Sequence, residues 1–373
     1  MNTSHERIKV VRLIPVLDFG GVESRFILQS KLIDRERFDF RVCTFWKPGA
    51  AAEKIRESGI EVDVLGVNPA VRNLDATLKL FLYLNEHKPD VLHASIVEAM
   101  FHGAIASFLA RVPLRIIEDT GVPTRSAVGN MAYGAISRLV HHVIGVSQAT
   151  CDYLLEQDRM AKDRVRLLYN CGKPEFFQGD RTRKRDPDAP LALFTAGRLV
   201  PVKNQLMLIE MMRQLVHERG VNVTLDIAGD GALMEDLQQA IVDAELEEHV
   251  TMLGFRKDVR ELLDEHDLFI LPSHNEGCSI ALIEAMATGS PVLGSTAPGI
   301  AEVMGKLGAH YLVPPKEVKT WVDRVEEIAA WSGEELDAYG ARGQKIARAE
   351  FSPQRYIGDL ERLYASVRAR KKP

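Results

Sequence analysis

Long apolar runs are scarce in this sequence. The first, residues 10–17, is interrupted by Arg12 and stopped by Asp18, which makes it a poor secretion signal and far too short to cross a bilayer core of about 30 Å. No later stretch does better, so a chain that is soluble, or at most peripheral to a membrane, is expected. Cysteine is scarce too. Cys43, Cys151, Cys171 and Cys278 stand far apart, without the close pairs of zinc or redox centres or the density of disulfide-stapled secreted domains. Reduced thiols in a cytoplasmic protein follow. Low-complexity tracts are missing as well, which confines disorder to ends and linkers.

What is present suits a globular chain of two domains. Its 373 residues are 46% apolar and 27% charged, and that length exceeds what one hydrophobic core usually organises. The net charge of −5 is uneven: residues 1–172 hold 22 Lys and Arg against 20 Asp and Glu, the remainder 25 against 32. The first half is the better candidate for an anionic surface or acceptor, and no nucleic-acid partner is expected.

Short β-branched runs alternate with amphipathic segments from the start. Strands are predicted over 9–17, 38–45, 61–67, 90–94, 114–118, 142–146 and 165–169, with helical patterns between. This rhythm means βαβ units and a parallel sheet. Residues 178–190 are polar, charged and rich in turn formers, and are the expected linker. A second series follows, with strands over 191–196, 223–228, 250–253, 268–271 and 291–294. The expected domains are 1–177 and 191–352, both Rossmann-like, with 353–373 joined to the first. Ligands of such sheets bind beyond the carboxyl ends of the strands, so the loops there matter most.

Three of those loops carry chemistry. Gly20-Gly21 lies between the first strand and a helix, where unencumbered N–H groups at a positive helix end suit a phosphate, although a plain tight turn reads equally well. In Gly197-Arg198-Leu-Val-Pro-Val-Lys203-Asn204, two cations on one strand-end loop can straddle a diphosphate, Arg198 in bidentate fashion and Lys203 as a point charge. The segment Pro272-Ser-His-Asn-Glu276-Gly-Cys-Ser279 leads into a helix in which Ser279 is the expected N-cap and Gly289 the expected C-terminal stop. Glu276 precedes that helix and Glu284 lies in its second turn, so both carboxylates can meet the hydroxyls of one ligand.

The spacing Glu276-x7-Glu284, with Gly197-Arg198-x4-Lys203-Asn204, Ala228-Gly-Asp230-Gly231, Gly20-Gly21-Val-Glu23 and Asn170-Cys-Gly172, resembles glycosyltransferase family 4 over nearly the whole chain. The resemblance implies an α/β chain of GT-B fold, two Rossmann-like domains facing across a cleft, with the C-terminal helix crossing back to the first. It implies a nucleotide-sugar in the second domain, where Glu284 holds the ribose, Glu276 the sugar hydroxyls, and Arg198 and Lys203 the diphosphate. Backbone groups of Gly277, Cys278 and Ser279 would line the sugar, with Ile280 also donor-binding, Phe255 and Arg256 would face the base, and Gly20 and Gly21 would close over the phosphate and acceptor. Arg198, Lys203 and Glu276 would be catalytic, in a retaining transfer by same-face attack.

No metal or other cofactor is expected, since fixed cations and a helix N-terminus can stabilise charge developing on the leaving diphosphate. Glu61-Val-Asp63 opens a strand away from the expected cleft and reads as a solvated face. On the acceptor side the sequence departs from the family. Where many members carry a histidine after the fifth strand it has Asp119 and Thr120, and His93 begins a pair whose second place is Ser95. Glu23, His93, Asp119 and Thr120 are the acceptor-side candidates, His93 equally a satisfied strand histidine. The resulting expectation is transfer of a hexosyl or N-acetylhexosaminyl group, from a UDP-sugar in preference to a GDP-sugar, to a glycan or lipid-linked glycan of bacterial surface polysaccharide. It would take place at the inner face of a membrane whose anionic lipid attracts the cationic C-terminus. A GT-B nucleotide-sugar epimerase and a non-catalytic nucleotide-sugar-binding subunit are the alternatives.

Overall fold

The computed structural model describes residues 6–18, 21–121, 125, 127–158 and 160–370. Two compact units divide the chain, one formed by residues 1–169 and 354–373, the other by residues 170–353. The first is built on seven parallel strands, β1 (Ile8–Ile14), β2 (Phe38–Thr44), β3 (Val62–Val64), β4 (Val91–Ser95), β5 (Leu114–Asp119), β6 (His142–Gly145) and β7 (Val165–Leu167). Their order is β3-β2-β1-β4-β5-β6-β7. Helices cover both faces, which is why the strands read as nearly continuous apolar runs. Val11, Leu13, Leu92 and Val143 pack on one face against Leu80, Met100 and Ile136. The opposite face receives the C-terminal helix Pro353–Ala365, pinned by Gln29 Nε2 donating to Tyr356 Oη at 2.6 Å, by His93 Nδ1 beside Tyr364 Oη at 2.9 Å and by the Arg37–Glu361 pair at 2.9 Å.

The second unit has six parallel strands, β8 (Leu191–Ala196), β9 (Val223–Ala228), β10 (Val250–Gly254), β11 (Leu268–Leu271), β12 (Val292–Ser295) and β13 (Leu312–Val313), in the order β10-β9-β8-β11-β12-β13. Strand β13 is too short to leave a pattern in the sequence. Residues 178–190 are not the linker their polarity suggests. Arg183 grips the buried Asp267 through Nε at 2.6 Å and Nη2 at 3.0 Å, and Arg181 donates to the His266 carbonyl at 2.6 Å. Partnered arginines thus fasten a charged strip to its own unit. Asp186-Pro187-Asp188, within that strip, forms a turn closed by Asp188 N donating to Asp186 Oδ1 at 3.0 Å.

In each sheet the order reverses beside the first strand of the series, between β1 and β4 and between β8 and β11. The connections leaving two such neighbours run to opposite sides, so the loops at their carboxyl ends diverge and leave a crevice. In the second unit those are the loops after β8 and β11, which hold Arg198 with Lys203 and Glu276 respectively. Among the described residues no helix is long and apolar enough to cross a membrane.

Candidate active site

The site of the second unit is assembled by backbone first. After β8 the chain makes a 3₁₀ turn, Pro201–Lys203, and Asn204 takes a left-handed conformation, φ +59°. Its side chain donates to the carbonyls of Pro272 at 3.1 Å and Pro315 at 2.8 Å, tying the β8 loop to those after β11 and β13. Gly229 at φ +153° lies so close to the Gly197 carbonyl that a Cβ would sit 1.9 Å from its oxygen. No other residue fits there. Gly299 is likewise required, because a Cβ would fall 2.4 Å from the Glu276 carbonyl oxygen, to which Gly299 N donates at 3.2 Å.

On this frame Lys203 Nζ meets Glu276 Oε1 at 2.5 Å, and Ser273 Oγ donates to the same oxygen at 3.0 Å. The sequence assigned this lysine and this glutamate to different parts of one ligand, and the fold brings them into contact. Arg198 is exposed, with no side-chain partner among the described residues, while Gln205 Nε2 holds its carbonyl at 2.9 Å. Ser279 occupies the N-cap of the helix Ile280–Thr288, but its buried side chain does not cap the first turn. The expected N-cap position holds but the capping bond is not made, which leaves the first N–H groups of the helix uncapped by Ser279. Gly277 and Ile280 are half-buried and Cys278 is buried, its carbonyl accepting from Asn170 Nδ2 at 3.0 Å. Gly289 closes the helix in a left-handed conformation, φ +86°.

Glu284 is not an ordinary surface glutamate. It is buried, its carboxylate accepts from Lys173 N at 3.2 Å, and Gly172 lies against its stem, where a Cβ would come within 2.9 Å of Cγ. Burial pushes its pKa up from 4.5 to about 7, against the opposing pull of Lys173. A raised folded-state pKa means that the native protein binds the extra proton between those values. The stabilisation is fully present below pH 4.5 and is lost as pH rises through about 7. E284Q, which never ionises, is therefore expected to be more stable than the parent at pH 8, by up to about 3 kcal/mol, and to match it at pH 4.5. Denaturant titration at the two pH values checks this, and equal midpoints at pH 8 would sink it. Phe255, after β10 and Gly254 at φ +64°, is 71% exposed, and Arg256 pairs with Asp258 through Nε at 2.8 Å.

In the first unit Gly20 lies outside the described residues. Gly21 opens the helix Gly21–Leu32 and Glu23 is half-buried in its first turn. His93 is a structural residue rather than an acceptor-side one. It is wholly buried, bonded to Tyr364, 3.2 Å from Glu118 Oε2, and burial lowers its pKa to about 3, so it is neutral. Thr120 is exposed. Asp119 is buried and already engaged, by Arg125 Nη2 at 2.8 Å and by the Tyr133 hydroxyl. Asn170, Lys173 and Gly299 were given no role in the sequence reading. Asn170 was visible inside a motif, but the backbone N–H of Lys173 has no signature.

Two family models match the chain. One, described as Glycosyltransferase Family 4, matches residues 19–175, and the other, Glycosyl transferases group 1, matches residues 177–345. The chain belongs to this family of glycosyltransferases and is an enzyme of that class. It is 26% identical over 326 residues to the Escherichia coli UDP-Gal:alpha-D-GlcNAc-diphosphoundecaprenol alpha-1,3-galactosyltransferase, covering 80% of this chain and 82% of that one. To the Bacillus subtilis putative glycosyltransferase EpsF it is 25% identical, covering 98% and 97%. Among solved structures, Anabaena HepE in complex with UDP and glucose superimposes with a TM-score of 0.82 at 22% identity, covering 96% of this chain and 100% of that one. This likeness shows the GT-B fold.

Proposed function

We propose that the chain transfers a hexosyl or N-acetylhexosaminyl group from a UDP-sugar to a glycan acceptor in bacterial surface polysaccharide synthesis, with retention of anomeric configuration and without a metal ion. The observation that carries this reading is the meeting of Lys203 with Glu276 at the reversal point of the second sheet, beside a helix end without a side-chain cap and an exposed Arg198. On donor binding, Lys203 and Arg198 engage the diphosphate, whose negative charge grows as the glycosidic bond breaks. Glu276, released from Lys203, accepts from sugar hydroxyls, and Glu284 accepts from the ribose. Both relatives described above are glycosyltransferases by name, one a UDP-Gal:alpha-D-GlcNAc-diphosphoundecaprenol galactosyltransferase; this favours transfer over epimerisation and a lipid-linked acceptor over a free one. The first unit, with 28 Lys and Arg against 22 Asp and Glu, is read as the side that meets anionic membrane lipid, and the second, with 19 against 30, is not.

One experiment tests both unproven halves of the mechanism. Transfer from UDP-sugar in excess EDTA, followed by proton NMR of the new linkage, is expected to give undiminished initial rates and an α-linked product from an α-linked donor. An inverted product would end the retaining assignment. Loss of activity on chelation, restored by Mg²⁺ or Mn²⁺, would end the metal-free one.

A further inference from the structure

A cavity of about 430 Å³ lies in the first unit, apart from every candidate for sugar transfer, at the β6–β7 edge of the sheet under the C-terminal helix. His142, Arg166, Arg355, Asp359 and Arg362 line it. Three guanidinium groups face one carboxylate. Asp359 is shared, hydrogen-bonded to Arg362 and 3.7 Å from Arg355, while the Arg166 guanidinium donates to a backbone carbonyl, that of Val165, at 3.0 Å and meets no carboxylate among the described residues. His142 is buried, the Arg164 backbone lies within hydrogen-bonding reach of its ring, and among the described residues its Nδ1 completes no hydrogen bond of good geometry. Burial first, then Arg166 and Arg370, lower the pKa of His142 to about 4, opposed by a backbone hydrogen bond at Arg164 and by Asp163, and His141 falls to about 4 from burial, Arg115 and Arg370.

Forked guanidinium donors around a buried imidazole suit a tetrahedral oxyanion. At the amino end of neighbouring β5, where Arg115 N donates to His141 Nδ1 at 3.1 Å, the Arg115 guanidinium stacks over Phe108, 5.6 Å from its ring centre, and Phe108 and Leu109 are 48% and 56% exposed beside Arg111 in a second depression. An exposed aromatic and a leucine among arginines suit the boundary between headgroups and acyl chains.

We propose that the cavity is a phosphate-binding pocket that seats the headgroup of an anionic phospholipid, with Phe108 and Leu109 entering the adjoining apolar layer. The proposal stands on the first unit alone and holds whichever donor the second unit takes. The test uses the full chain in two measurements. Inorganic phosphate is titrated while the ring resonance of His142, assigned by its loss in H142Q, is followed by NMR. Sedimentation is then measured with phosphatidylcholine vesicles with and without phosphatidylglycerol. Phosphate is expected to move the His142 resonance saturably and to raise its pKa, and only the anionic vesicles are expected to carry the protein down. R166Q and the exposed R362Q should each weaken both effects about fivefold, and R362Q should leave the thermal shift given by UDP unchanged. A phosphate response without vesicle binding would overturn the lipid headgroup. An unmoved His142 resonance, or vesicle binding indifferent to both substitutions, would overturn the pocket.

Discussion

Replacement of Arg198 or Lys203 by alanine is expected to slow sugar transfer about 100- to 1,000-fold, the loss typical when one preorganised donor to developing negative charge is removed. The two positions differ in what else they do. Arg198 is exposed and its side chain has no partner among the described residues, so R198A should melt with the parent. Lys203 neutralises Glu276 at 2.5 Å, and its removal leaves that carboxylate, 13% exposed, with Ser273 as its side-chain partner among the described residues. K203A should accordingly lose a little stability as well as activity, and should bind the donor sugar in a changed geometry. Because the cations act on one diphosphate, the double variant should be hardly slower than either single one. Steady-state kinetics with a UDP-sugar, beside thermal melts, checks the set. Near-parental turnover in folded R198A and K203A would remove the diphosphate assignment.

Glu118→Ala is expected to destabilise the first unit by about 3–5 kcal/mol, the usual consequence of breaking a buried ion pair from one side. Glu118 is wholly buried on β5, bonded to Arg25, to Arg12 Nη2 at 3.2 Å and to Ser95 Oγ at 2.7 Å. Arg12 is itself fully buried and Arg25 3% exposed, so the alanine variant would strand two guanidinium groups around no carboxylate. Burial alone would raise the pKa of Glu118, but Arg25 first, then His93 and Arg12, hold it well below the carboxylate range. A depressed pKa contributes stability above the unfolded value of 4.5 that is lost only as pH falls through the folded one. The parent should therefore keep this contribution well into acid, whereas Glu118→Gln, which keeps the shape without the charge, should fall between parent and alanine at every pH above 5. Urea denaturation reads all three, and an alanine variant within 1 kcal/mol of the parent would show that the network does not stabilise the unit.

The sequence by itself determined the order of elements, the alternation that forces parallel sheets, and the residues that each strand-end loop delivers. Gly197 to Asn204 and Glu276 to Glu284 were legible because their chemistry is local: a loop after a strand, a helix start, a fixed spacing. Four features were decided only in the tertiary structure. Lys203 and Glu276 stand 73 positions apart, and their contact follows from β11 lying beside β8, which no local pattern encodes. Glu284 owes its proton affinity to burial beneath Gly172 and Lys173, 111 positions away from the latter. His93 carried the same ambiguity in sequence as any strand histidine until Tyr364 and Glu118 closed around it. Residues 178–190 looked like a linker because charge and turn formers predict solvent, yet Asp267 waits at the edge of β11 to pair with their arginines. Spacing along a chain reports which groups a loop carries; burial and charge pairing depend on distances through space, and strand order sets those.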